Sequence, residues 1–468
     1  MLETLICVFS LKPRLMLNNV ELGKILNQSI PSLVIKDIHW RTQDSTSESI
    51  LFYKLTKDSA SEELLLKRLG ETKYSWLVIN RPIQNMPSHV SVVEESLWPE
   101  VQKQVLDQLY PLPSMKMIGV TGTNGKTTTA DLVLQLGHLS GKKGLSIGTL
   151  GVREYNHTIL DFGLTSPSFI DLRKFLAQYG KDKDFCVMEA SSHALIQDRL
   201  HGIHFDAAGW LSFSQDHLDY HQNMEEYYHA KSLIFQKLKT GRKLFSPAEQ
   251  KDLHLKLKQT SSSAIYAEEI NHHLPLFFRT QFNKNNLEVA KALLEAAFDI
   301  KVDIDYNLLL PPDGRFYIQG YKNSYIVVDF AHTPDALENI CRGIKDTFPG
   351  YRLKVLFGCG GDRDRMKRPK MAAVVSDWAD EIYITSDNPR TENPEQIISD
   401  IIAGISGKKF QAITERPKAV KVAFAELQDK EVLLLAGKGH EDYILINGVK
   451  HPYSDIREVD EFILRNKV

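Results

Sequence analysis

The sequence predicts an α/β protein of several domains. From residue 325 onward, short apolar runs alternate with helical stretches, a pattern typical of βαβ units and a largely parallel sheet. The chain has 468 residues, enough for two to four domains. The stretches YPLPS (110–114) and PPDGR (311–315) indicate two boundaries. We therefore expect domains at 1–112, 113–314 and 315–468.

Composition and charge exclude several classes of protein. A net charge of −2 indicates no general attraction to nucleic acid or to an anionic membrane, and no apolar run approaches the ~20 residues of a membrane helix. The N-terminal stretch LETLICVF is short and lacks a basic region, so we expect no signal peptide. The four cysteines (Cys7, Cys186, Cys341 and Cys359) form no C-x-x-C pair. We therefore expect a protein of the reducing cytoplasm, without disulfides or a zinc site.

A glycine-rich loop opens the second segment. Residues 117–130 read MIGVTGTNGKTTTA, an apolar strand that runs into small residues, a lysine and a helical stretch. Backbone N–H groups of such a loop cradle phosphates, and the helix N-terminus adds a partial positive charge. Lys126 is expected to reach the β- and γ-phosphates of a nucleotide, and the Thr127 hydroxyl to bind Mg²⁺. The strict pattern has glycine where this chain has Val120, and a plain glycine-rich turn is the alternative.

Lys231 has an unusual set of neighbours. The stretch 223–239 predicts a helix, and the positions that share a face with Lys231 are all apolar or aromatic: Met224, Tyr227, Tyr228, Ile234, Phe235 and Leu238. In one interpretation the side chain snorkels, so that its amine reaches the surface. In the other the amine is desolvated, which lowers its pKa and leaves a neutral, nucleophilic group that can be modified chemically.

Two further motifs place acids and histidines after predicted strands. MEASSHAL (188–195) carries Glu189, and SQDHLDYH (214–221) carries Asp216, His217 and Asp219. Carboxylates and imidazoles at strand ends near a phosphate loop can hold a divalent metal beside a nucleotide. Taken alone, each histidine also fits a purely structural role.

Four polar loops follow the apolar runs of the third segment. They read DFAHTPD, GCGGDRD, SDNPR and AGKGHED, after IVVDF, LKVLFG, EIYITS and EVLLLA. Because ligands of open α/β sheets bind beyond the carboxyl ends of the strands, we expect these loops to converge on one edge. Asn393 predicts the cap of a helix that begins at Pro394. The acid, amide and guanidinium of DNPR (387–390) have no such structural explanation.

Taken in order, these motifs resemble those of the Mur ligases, the ATP-dependent amide-forming enzymes of bacterial peptidoglycan synthesis. The resemblance spans residues 117 to 443 and rests on GTNGKTT, MEASSHAL, QDHLDYH, YHAKSLIF, FNKNN, DGR, VDFAHTPDAL, FGCGGDRDRMKRPKM, SDNPRTENPE and GKGHEDY. It implies an N-terminal α/β domain that binds UDP, a central phosphate-loop ATPase domain of the mononucleotide-binding type and a C-terminal Rossmann-like domain. It also implies a cytoplasmic monomer that acts on small molecules, with no nucleic acid or membrane partner.

Within the family the motifs are most similar to the branch that adds meso-diaminopimelate to UDP-MurNAc-L-Ala-D-Glu through an acyl phosphate, with ATP and Mg²⁺. The residues that match the ATP site are Gly122, Thr123, Asn124, Gly125, Lys126, Thr127, Thr128, Asn283, Asn286, Arg315, Asp329 and His332. Those that match the site of the UDP-MurNAc-dipeptide are Thr165, Ser166, Ser191, Gln197 and Arg199.

The resemblance also gives Lys231 a role. It implies that this lysine reacts with CO₂ to form a carbamate, which turns a misplaced cation into an anionic metal ligand. Glu189 and His217 would join the carbamate around Mg²⁺, and Thr127 would bind a second Mg²⁺. Lys126, Glu189, His217 and Lys231 are thus the expected catalytic residues.

The DNPR loop resembles the diaminopimelate-specific form of the family, in which arginine stands last. Arg390 can grip the distal carboxylate of the amino acid with two N–H bonds, and Asp387 can accept its distal ammonium. Asn388 and Pro389 complete the loop, and Arg363, Gly437 and Glu441 match the rest of the pocket. L-lysine is the alternative amino acid, because its distal end is only an ammonium. In a purely structural alternative, Arg390 pairs with Glu392.

Departures from the family pattern keep other functions open. The family element that contacts uridine has only DIHWRTQDS (37–45) as its nearest relative, and Leu211-Ser212, Gln215 and TSPS (165–168) also differ. One alternative is another amide ligase, such as a different Mur enzyme or a folylpolyglutamate synthase. A second is a nucleotide-binding ATPase or regulator, which would leave Lys231 and the four loops unexplained. A third is a noncatalytic relative, although Lys126, Glu189, His217 and Lys231 are all present.

Overall fold

The computed structural model describes residues 16–218, 220–270 and 274–466. Its strands are β1 Leu17–Asn18, β2 Val34–Ile35, β3 Asp37–His39, β4 Ser49–Tyr53, β5 Trp76–Ile79, β6 Val90–Val92, β7 Lys116–Thr121, β8 Gly144–Gly148, β9 Gly151–Glu154, β10 His157–Leu160, β11 Phe185–Glu189, β12 Ala207–Trp210, β13 Leu244–Ser246, β14 Ala264–Tyr266, β15 Tyr317–Tyr321, β16 Ser324–Asp329, β17 Arg352–Phe357, β18 Glu381–Ile384, β19 Phe410–Ala412, β20 Glu431–Ala436, β21 Tyr443–Ile446 and β22 Val449–Pro452.

The α-helices are α1 Asn19–Leu26, α2 Ser59–Leu69, α3 Trp98–Leu109, α4 Lys126–Leu139, α5 Phe169–Tyr179, α6 Ser192–Ile196, α7 Met224–Ser232, α8 Lys251–Thr260, α9 Gln281–Phe298, α10 Pro334–Thr347, α11 Lys367–Trp378, α12 Pro394–Ile402, α13 Arg416–Ala425 and α14 Asp455–Arg465. Short 3₁₀ helices are Thr42–Asp44, Leu233–Lys237, Leu276–Arg279 and Tyr306–Leu308. No described helix is long and apolar enough to cross a membrane.

The chain forms two compact units. The first comprises Met1–Ile118 and Lys142–Phe205, and the second comprises Gly119–Gly141 and Asp206–Val468. This division does not test the three expected domains, whose boundaries near residues 112 and 314 stay a prediction. Cys7, Asp219 and the stretch LETLICVF lie outside the described residues. The other three cysteines are free and buried.

The first unit contains a four-stranded parallel sheet in the order β3-β4-β5-β6. Strands β4 and β5 are the apolar runs SILFY and WLVI, and buried parallel strands have this continuous apolar character. Ile50, Phe52, Trp76 and Val78 pack in a core that includes the apolar face of α3. Strands β10, β9, β8 and β11 of this unit lie side by side in that order as part of a larger sheet, with β8 and β11 parallel.

The phosphate loop of the second unit leads into α4. This helix packs against α9, and both bury apolar faces. Strands β12, β13 and β14 run parallel beside one another. The predicted helix after the loop is confirmed as α4, and β12 is the predicted strand before SQDHLDYH.

The C-terminal sheet of the second unit has the strand order β15-β16-β20-β17-β18-β19. All neighbours are parallel except β15 and β16. The four predicted strands are therefore confirmed as β16, β17, β18 and β20, with β20 lying between β16 and β17. Because these four run parallel, their carboxyl ends share one edge, where ligands of such sheets bind. Strands β15 and β19 and the hairpin of β21 and β22 had no counterpart in the predicted pattern.

Helix starts in this sheet follow the predicted capping chemistry. The Asn393 side chain accepts a hydrogen bond from the Glu395 N–H at 2.9 Å, and Pro394 is the first residue of α12. Thr333 caps α10 in the same way, with Pro334 at its first position. Both caps lie directly after polar loops at the ligand edge, so they fix where those loops end.

The predicted helix over 223–239 is wrong in its second half. Asn223 caps α7 as a start signal should, but the α-helix ends at Ser232 and a 3₁₀ helix follows over Leu233–Lys237. The Ser232 hydroxyl donates to the His229 carbonyl oxygen at 2.7 Å. Such local side-chain bonds compete with the α-helical pattern, which gives a physical reason for the change.

Candidate active site

The phosphate loop joins β7 to α4. Gly122 and Gly125 have φ values of 149° and 87°, and Gly125 is the residue before the first turn of α4. A Cβ atom at Gly125 would overlap the side-chain oxygen of Asn286 and lie 2.9 Å from Leu211 Cδ1. The loop therefore requires glycine at this position for both space and backbone conformation. Lys126 Nζ donates to the carbonyl oxygens of Gly122 and Thr123, each at 2.9 Å.

Residues that depart from the family pattern support this loop. The Thr123 N–H donates to the Ser212 carbonyl oxygen at 3.0 Å, and the Asn124 N–H donates to Ser212 Oγ at 2.9 Å. The Thr123 hydroxyl donates to the Ser214 carbonyl oxygen at 3.1 Å. Ser212 thus helps to order the loop through both its carbonyl oxygen and its hydroxyl. Thr128 is buried in the first turn of α4.

Lys231 is buried, with 1% of its surface exposed, so the snorkelling interpretation is wrong. Its Nζ donates to the Gly122 carbonyl oxygen at 2.8 Å and lies 4.5 Å from the ring centre of Tyr227. Burial and then the charge of Lys126 lower the pKa of Lys231 well below its usual value, and Asp216 opposes this only in part. A neutral amine next to the phosphate loop is what the desolvated interpretation requires.

A group of ionisable side chains lies near the loop in the second unit. Burial would raise the pKa of Asp216, but the charges of His217, Lys367 and His332 outweigh it and lower this pKa to about 2. Burial, reinforced by the charge of Lys367, lowers the pKa of His332 to about 4. His217 has a left-handed backbone with φ of 55°, and its N–H donates to Asp216 Oδ1 at 2.9 Å. At neutral pH these pKa values leave the Asp216 carboxylate ionised and the His332 imidazole neutral.

Asn283 and Asn286, two of the candidate ATP-site residues, lie on α9 but differ in their contacts. Asn286 faces the glycine of the phosphate loop, as its distance to a Cβ at Gly125 indicates. Asn283 Nδ2 donates to the Phe277 carbonyl oxygen at 3.1 Å, so it also fixes the 3₁₀ helix that precedes α9.

Residues that follow the boundary near 314 also reach the phosphate loop. Arg315 donates to the Thr127 hydroxyl at 3.5 Å, and its guanidinium lies 4.7 Å from the ring centre of Phe330. Asp329 accepts from the N–H groups of Phe316 and Ala331, both at 2.8 Å. Burial raises the pKa of Asp329, although the charge of Arg315 opposes the shift.

One contact at the loop was missed from the sequence. Asn124 Nδ2 donates to Asp335 Oδ2 at 2.6 Å, and Asp335 is the second residue of α10. Acids are common in the first turn of a helix, so nothing in the sequence separated Asp335 from an ordinary helix-start acid.

The candidate substrate residues of the first unit form one hydrogen-bonded group. Ser166 Oγ lies 3.1 Å from Ser191 Oγ and donates to the Glu189 carbonyl oxygen at 2.9 Å. Arg199 donates to the Ser166 carbonyl oxygen at 2.7 Å and also to the side-chain oxygen of Gln197. The fifth residue, Thr165, joins through the Thr149 hydroxyl at 3.3 Å.

Glu189 is a buried carboxylate of the first unit with two donors from one residue. Its Oε1 accepts from the Thr149 N–H at 2.7 Å, and its Oε2 accepts from the Thr149 hydroxyl at 3.2 Å. A Cβ atom at Gly148 would overlap this carboxylate. Glycine at position 148 is therefore required to let the acid approach the backbone.

The divergent element DIHWRTQDS lies at the carboxyl end of β3. Lys174 Nζ is 2.6 Å from Asp37 Oδ1, and the Tyr110 hydroxyl donates to the same oxygen at 2.7 Å. Trp40 is 42% exposed, and its indole N–H donates to Asp171 at 3.0 Å. Asp37 is thus held inside the unit, whereas Trp40 presents an aromatic surface to solvent.

The four loops of the C-terminal sheet meet as predicted. The Gly361 N–H donates to the Asn388 carbonyl oxygen at 2.9 Å, which joins the loops after β17 and β18. The Gly437 N–H donates to the Asp329 carbonyl oxygen at 3.0 Å, which joins those after β20 and β16. Asn388 Nδ2 donates to Glu441 at 2.9 Å and so connects the third loop with the fourth.

Arg390 lies in the loop after β18 and has a strained backbone conformation. It has φ of 53°, and its side chain donates to the Gly361 carbonyl oxygen at 2.7 Å. Burial and the charge of Arg363 lower the pKa of Arg390, while Asp387, Glu441 and Asp362 oppose the shift. Two guanidinium groups that repel one another favour an anionic ligand, which offsets the repulsion.

The alternative in which Arg390 pairs with Glu392 is wrong. Glu392 is bound by the buried Arg368, at 2.8 Å and 3.0 Å, and it also accepts the Asp362 N–H. Arg368 further contacts Asp400 at 2.8 Å and lies on α11. Sequence reasoning missed Arg368, although the run DRDRMKR contains it.

Lys438 was also missed. It is fully buried in the loop after β20 and donates to Glu441 Oε2 at 2.6 Å and to Asn388 Oδ1 at 3.1 Å. The sequence signal that could have found it is a lysine immediately after a buried apolar strand and between two glycines, AGKGHE (436–441).

The described residues contain no group of three His, Cys, Asp or Glu side chains that could hold a metal ion.

The phosphate loop and the parallel sheet with its charged edge define the class, a nucleotide-dependent enzyme built on a phosphate-loop domain. Residues 120–309 match the Mur ligase middle domain, and residues 314–439 match the Mur ligase, glutamate ligase domain. The chain belongs to the Mur ligase family.

Several relatives are named as enzymes of the same activity. The UDP-N-acetylmuramoyl-L-alanyl-D-glutamate–2,6-diaminopimelate ligase of Aquifex aeolicus is 33% identical over 463 residues, 92% of this chain and 95% of the relative. The corresponding ligase of Ectopseudomonas mendocina is 38% identical and covers 75% of this chain and 78% of its own. The enzyme named ligase 1 of Clostridium acetobutylicum is 35% identical, with coverages of 75% and 79%.

Solved structures agree with this assignment of the fold. A UDP-N-acetylmuramoyl-L-alanyl-D-glutamate–2,6-diaminopimelate ligase is similar with a TM-score of 0.59 at 27% identity, over 96% of this chain and 99% of that one. MurF ligase from Thermotoga maritima in complex with ADP has a TM-score of 0.60 at 15% identity, over 92% and 97%. At that identity the second comparison supports the fold alone.

Proposed function

We propose that this protein is an ATP-dependent ligase that adds meso-diaminopimelate to UDP-MurNAc-L-Ala-D-Glu. The observation that carries the amino acid assignment is Arg390, which lies beside Arg363 and makes no pair with Glu392 because Arg368 binds that acid. A guanidinium pair of this kind suits a distal carboxylate, which meso-diaminopimelate has and the side chain of L-lysine lacks. The relatives are named as 2,6-diaminopimelate ligases, which supports the same amino acid substrate.

The reaction we propose has two steps. The D-Glu carboxylate attacks the γ-phosphorus of ATP, so that a carboxylate oxygen bonds to phosphorus and ADP leaves. The neutral amine of the amino acid then attacks the acyl carbon, the amide bond forms, the amine proton is lost and phosphate leaves. Lys126 and the loop N–H groups stabilise the charge that develops on the phosphoryl oxygens. Both steps need the reacting groups held in position, which the substrate-binding residues supply.

We further propose that Lys231 works as a carbamate. Its neutral amine would attack CO₂, form a C–N bond and lose a proton, which leaves an anion in place of a neutral amine. Thr127, Glu189, His217 and this carbamate are the proposed Mg²⁺ ligands, and all four offer donor types that suit a divalent ion. Bound Mg²⁺ would neutralise phosphate charge during transfer. The buried, low-pKa amine of Lys231 supports this proposal.

The remaining sites follow the family pattern as proposals. We assign residues 1–112 to UDP-substrate binding, 113–314 to ATP and 315–468 to the amino acid. The muramoyl-peptide would be held by Thr165, Ser166, Ser191, Gln197 and Arg199, whose shared hydrogen bonds support one binding surface. We propose a cytoplasmic monomer that handles small molecules only.

An assay of phosphate release tests this function. The purified protein is given ATP, Mg²⁺ and UDP-MurNAc-L-Ala-D-Glu, with meso-diaminopimelate and L-lysine in parallel. We expect release that depends on both the nucleotide-linked dipeptide and meso-diaminopimelate, with a tripeptide product of matching mass. Release with L-lysine alone would move the assignment to the lysine-adding ligase. Absence of release with any diamino acid, but release with a folate and glutamate, would favour the folylpolyglutamate alternative.

A further inference from the structure

Lys438 is a buried cation for which the proposed mechanism has no role. It follows β20 and has none of its side chain exposed. Its Nζ lies 2.6 Å from Glu441 Oε2, 3.1 Å from Asn388 Oδ1 and 3.6 Å from Asp387 Oδ1. All three partners belong to the proposed amino acid pocket. A lysine is rarely buried without a paired charge, and the charges paired with Lys438 are those of the pocket residues Asp387 and Glu441.

The hydrogen bonds of Lys438 fix the orientation of Asn388. The Asn388 Oδ1 atom accepts from Lys438 Nζ and from the Leu445 N–H at 2.8 Å, and its Nδ2 donates to Glu441 Oε2. Glu441 Oε2 therefore receives two donors, which leaves Oε1 as the oxygen with capacity for a ligand ammonium. Lys438 thus determines which atoms of Asn388 and Glu441 are left to bind the amino acid.

The same lysine balances the charge of the pocket. The cations are Arg363, Arg390 and Lys438, and the carboxylates near them are Asp387, Glu441 and Asp362. Arg416 also interacts with Asp387, but its charge is balanced by its own partner, Asp455. A distal end with one ammonium and one carboxylate is neutral and suits a balanced pocket. The distal end of L-lysine adds a positive charge, which a balanced pocket disfavours.

We propose that Lys438 is a positioning residue that sets the specificity of this pocket against amino acids whose distal end is only cationic. The proposal rests on the proposed function. Loss of the Lys438 charge would leave Asp387 and Glu441 without their buried partner, and an added ammonium would then be favoured.

Lys438→Gln tests this role, because glutamine keeps a hydrogen-bond donor and removes the charge. The ratio of kcat/KM for meso-diaminopimelate to that for L-lysine is measured by phosphate release. We expect the ratio to move toward L-lysine by about tenfold or more, mainly through KM, which corresponds to ~1.4 kcal/mol. The KM for ATP should change by less than about twofold. Lys438→Arg, which keeps the charge, should restore most of the original ratio.

Lys354 offers a matched control in the same sheet. It is also a buried lysine paired with two acids, Glu431 at 2.9 Å and Glu381 at 3.4 Å, but it lies near the amino ends of β17, β18 and β20. Lys354→Gln should lower the thermal midpoint of unfolding and leave the specificity ratio unchanged. Circular dichroism of every variant checks that the protein is folded.

The outcomes separate the two proposals. If the unmodified enzyme releases no phosphate with either amino acid, the proposed function is wrong and the role of Lys438 falls with it. If that enzyme is active but folded Lys438→Gln keeps the ratio within twofold, only the role of Lys438 is wrong. An equal shift in Lys354→Gln would also overturn it. Should Lys438→Gln not fold, Lys438→Met, which packs beside Tyr443 with a similar shape, replaces it and is judged by the same ratio.

Discussion

Lys231 Nζ donates a 2.8 Å hydrogen bond to the carbonyl oxygen of Gly122, the same oxygen that accepts from Lys126. Two lysines therefore meet at one carbonyl of the phosphate loop. Their mutual repulsion adds to burial in lowering the pKa of Lys231. This arrangement favours the neutral amine form of Lys231 and leaves Lys126 as the expected phosphate ligand.

Replacement of Lys231 by alanine should abolish amide formation. The physical reason is the loss of the anionic ligand that the carbamate would provide. Activity should fall by at least about 10³-fold, and bicarbonate or a short carboxylic acid should restore part of it. Phosphate release with and without added acetate or formate is the measurement.

Lys231→Arg is the control for this prediction. Arginine has a side chain of similar length and polarity but forms no carbamate, so it should be as inactive as alanine. Full activity in Lys231→Ala, or activity in Lys231→Arg without an added acid, would contradict the carbamate role.

Gly125→Ala should weaken ATP binding by tenfold or more. Its φ of 87° is strained for alanine, and the added Cβ would overlap Asn286 and contact Leu211. Both effects displace the N–H groups that face the phosphates. Calorimetric titration with a nonhydrolysable ATP analogue measures the loss.

Gly141→Ala provides the comparison at the other end of α4. Gly141 also has a positive φ, of 72°, but no atom lies within 4 Å of an added Cβ. This change should cost about 1 kcal/mol of stability and leave ATP affinity unaltered. Equal loss of affinity in both variants would show that the effect comes from a general loss of stability and not from the phosphate loop.

Stability should fall as pH drops from about 6.5 toward 4 because of His332. Its folded pKa is about 4, below the usual value of 6.5, so the unfolded chain binds the proton more readily in this range. The His332 contribution is therefore complete above pH 6.5 and is lost as pH falls through the window. Urea unfolding at pH 7.5 and pH 4.5 measures the difference.

His332→Gln should flatten this dependence, whereas His451→Gln, a change of an exposed histidine on β22, should leave it unchanged. The lowered pKa of Asp216 acts in a separate window, between 3.8 and about 2. Loss of stability that persists in His332→Gln over pH 7.5 to 4.5 would assign the effect to other groups.

Local patterns predicted the C-terminal sheet well because its strands are continuous apolar runs between turn residues. The same rules placed Asn393 and Pro394 at the start of α12. They failed after Ser232, where a single hydroxyl bond changes the helix type, and they missed β15 and β19, whose residues are less apolar. Both kinds of failure depend on particular hydrogen bonds and strand pairings, which the spacing of apolar residues does not encode.

The same limit applies to the site. The phosphate loop and DNPR stand out because their residue types have no simple structural use. Arg368 and Lys438 do not, because a basic residue in a polar run is usually a solvated one. Only the fold shows that both are buried, that Arg368 is bound to Glu392 and Asp400, and that Lys438 is bound to Glu441.

Arg390→Ala should harm use of the amino acid far more than use of ATP. The guanidinium is held by the Gly361 carbonyl oxygen and faces Arg363, so its loss removes one of two cations for the distal carboxylate. The KM for meso-diaminopimelate should rise about 30- to 100-fold, in keeping with ~2–3 kcal/mol for a charge-assisted bond. Arg390→Lys should recover only part of this, because lysine lacks the planar pair of donors.

Arg365→Ala is the matched control, since Arg365 lies in the neighbouring loop and makes only an exposed pair with Asp400. It should change both KM values by less than about twofold. The KM for ATP is measured in each variant at saturating amino acid. If Arg390→Ala raises the KM for ATP as much as that for meso-diaminopimelate, Arg390 orders the site in general and does not bind the distal carboxylate.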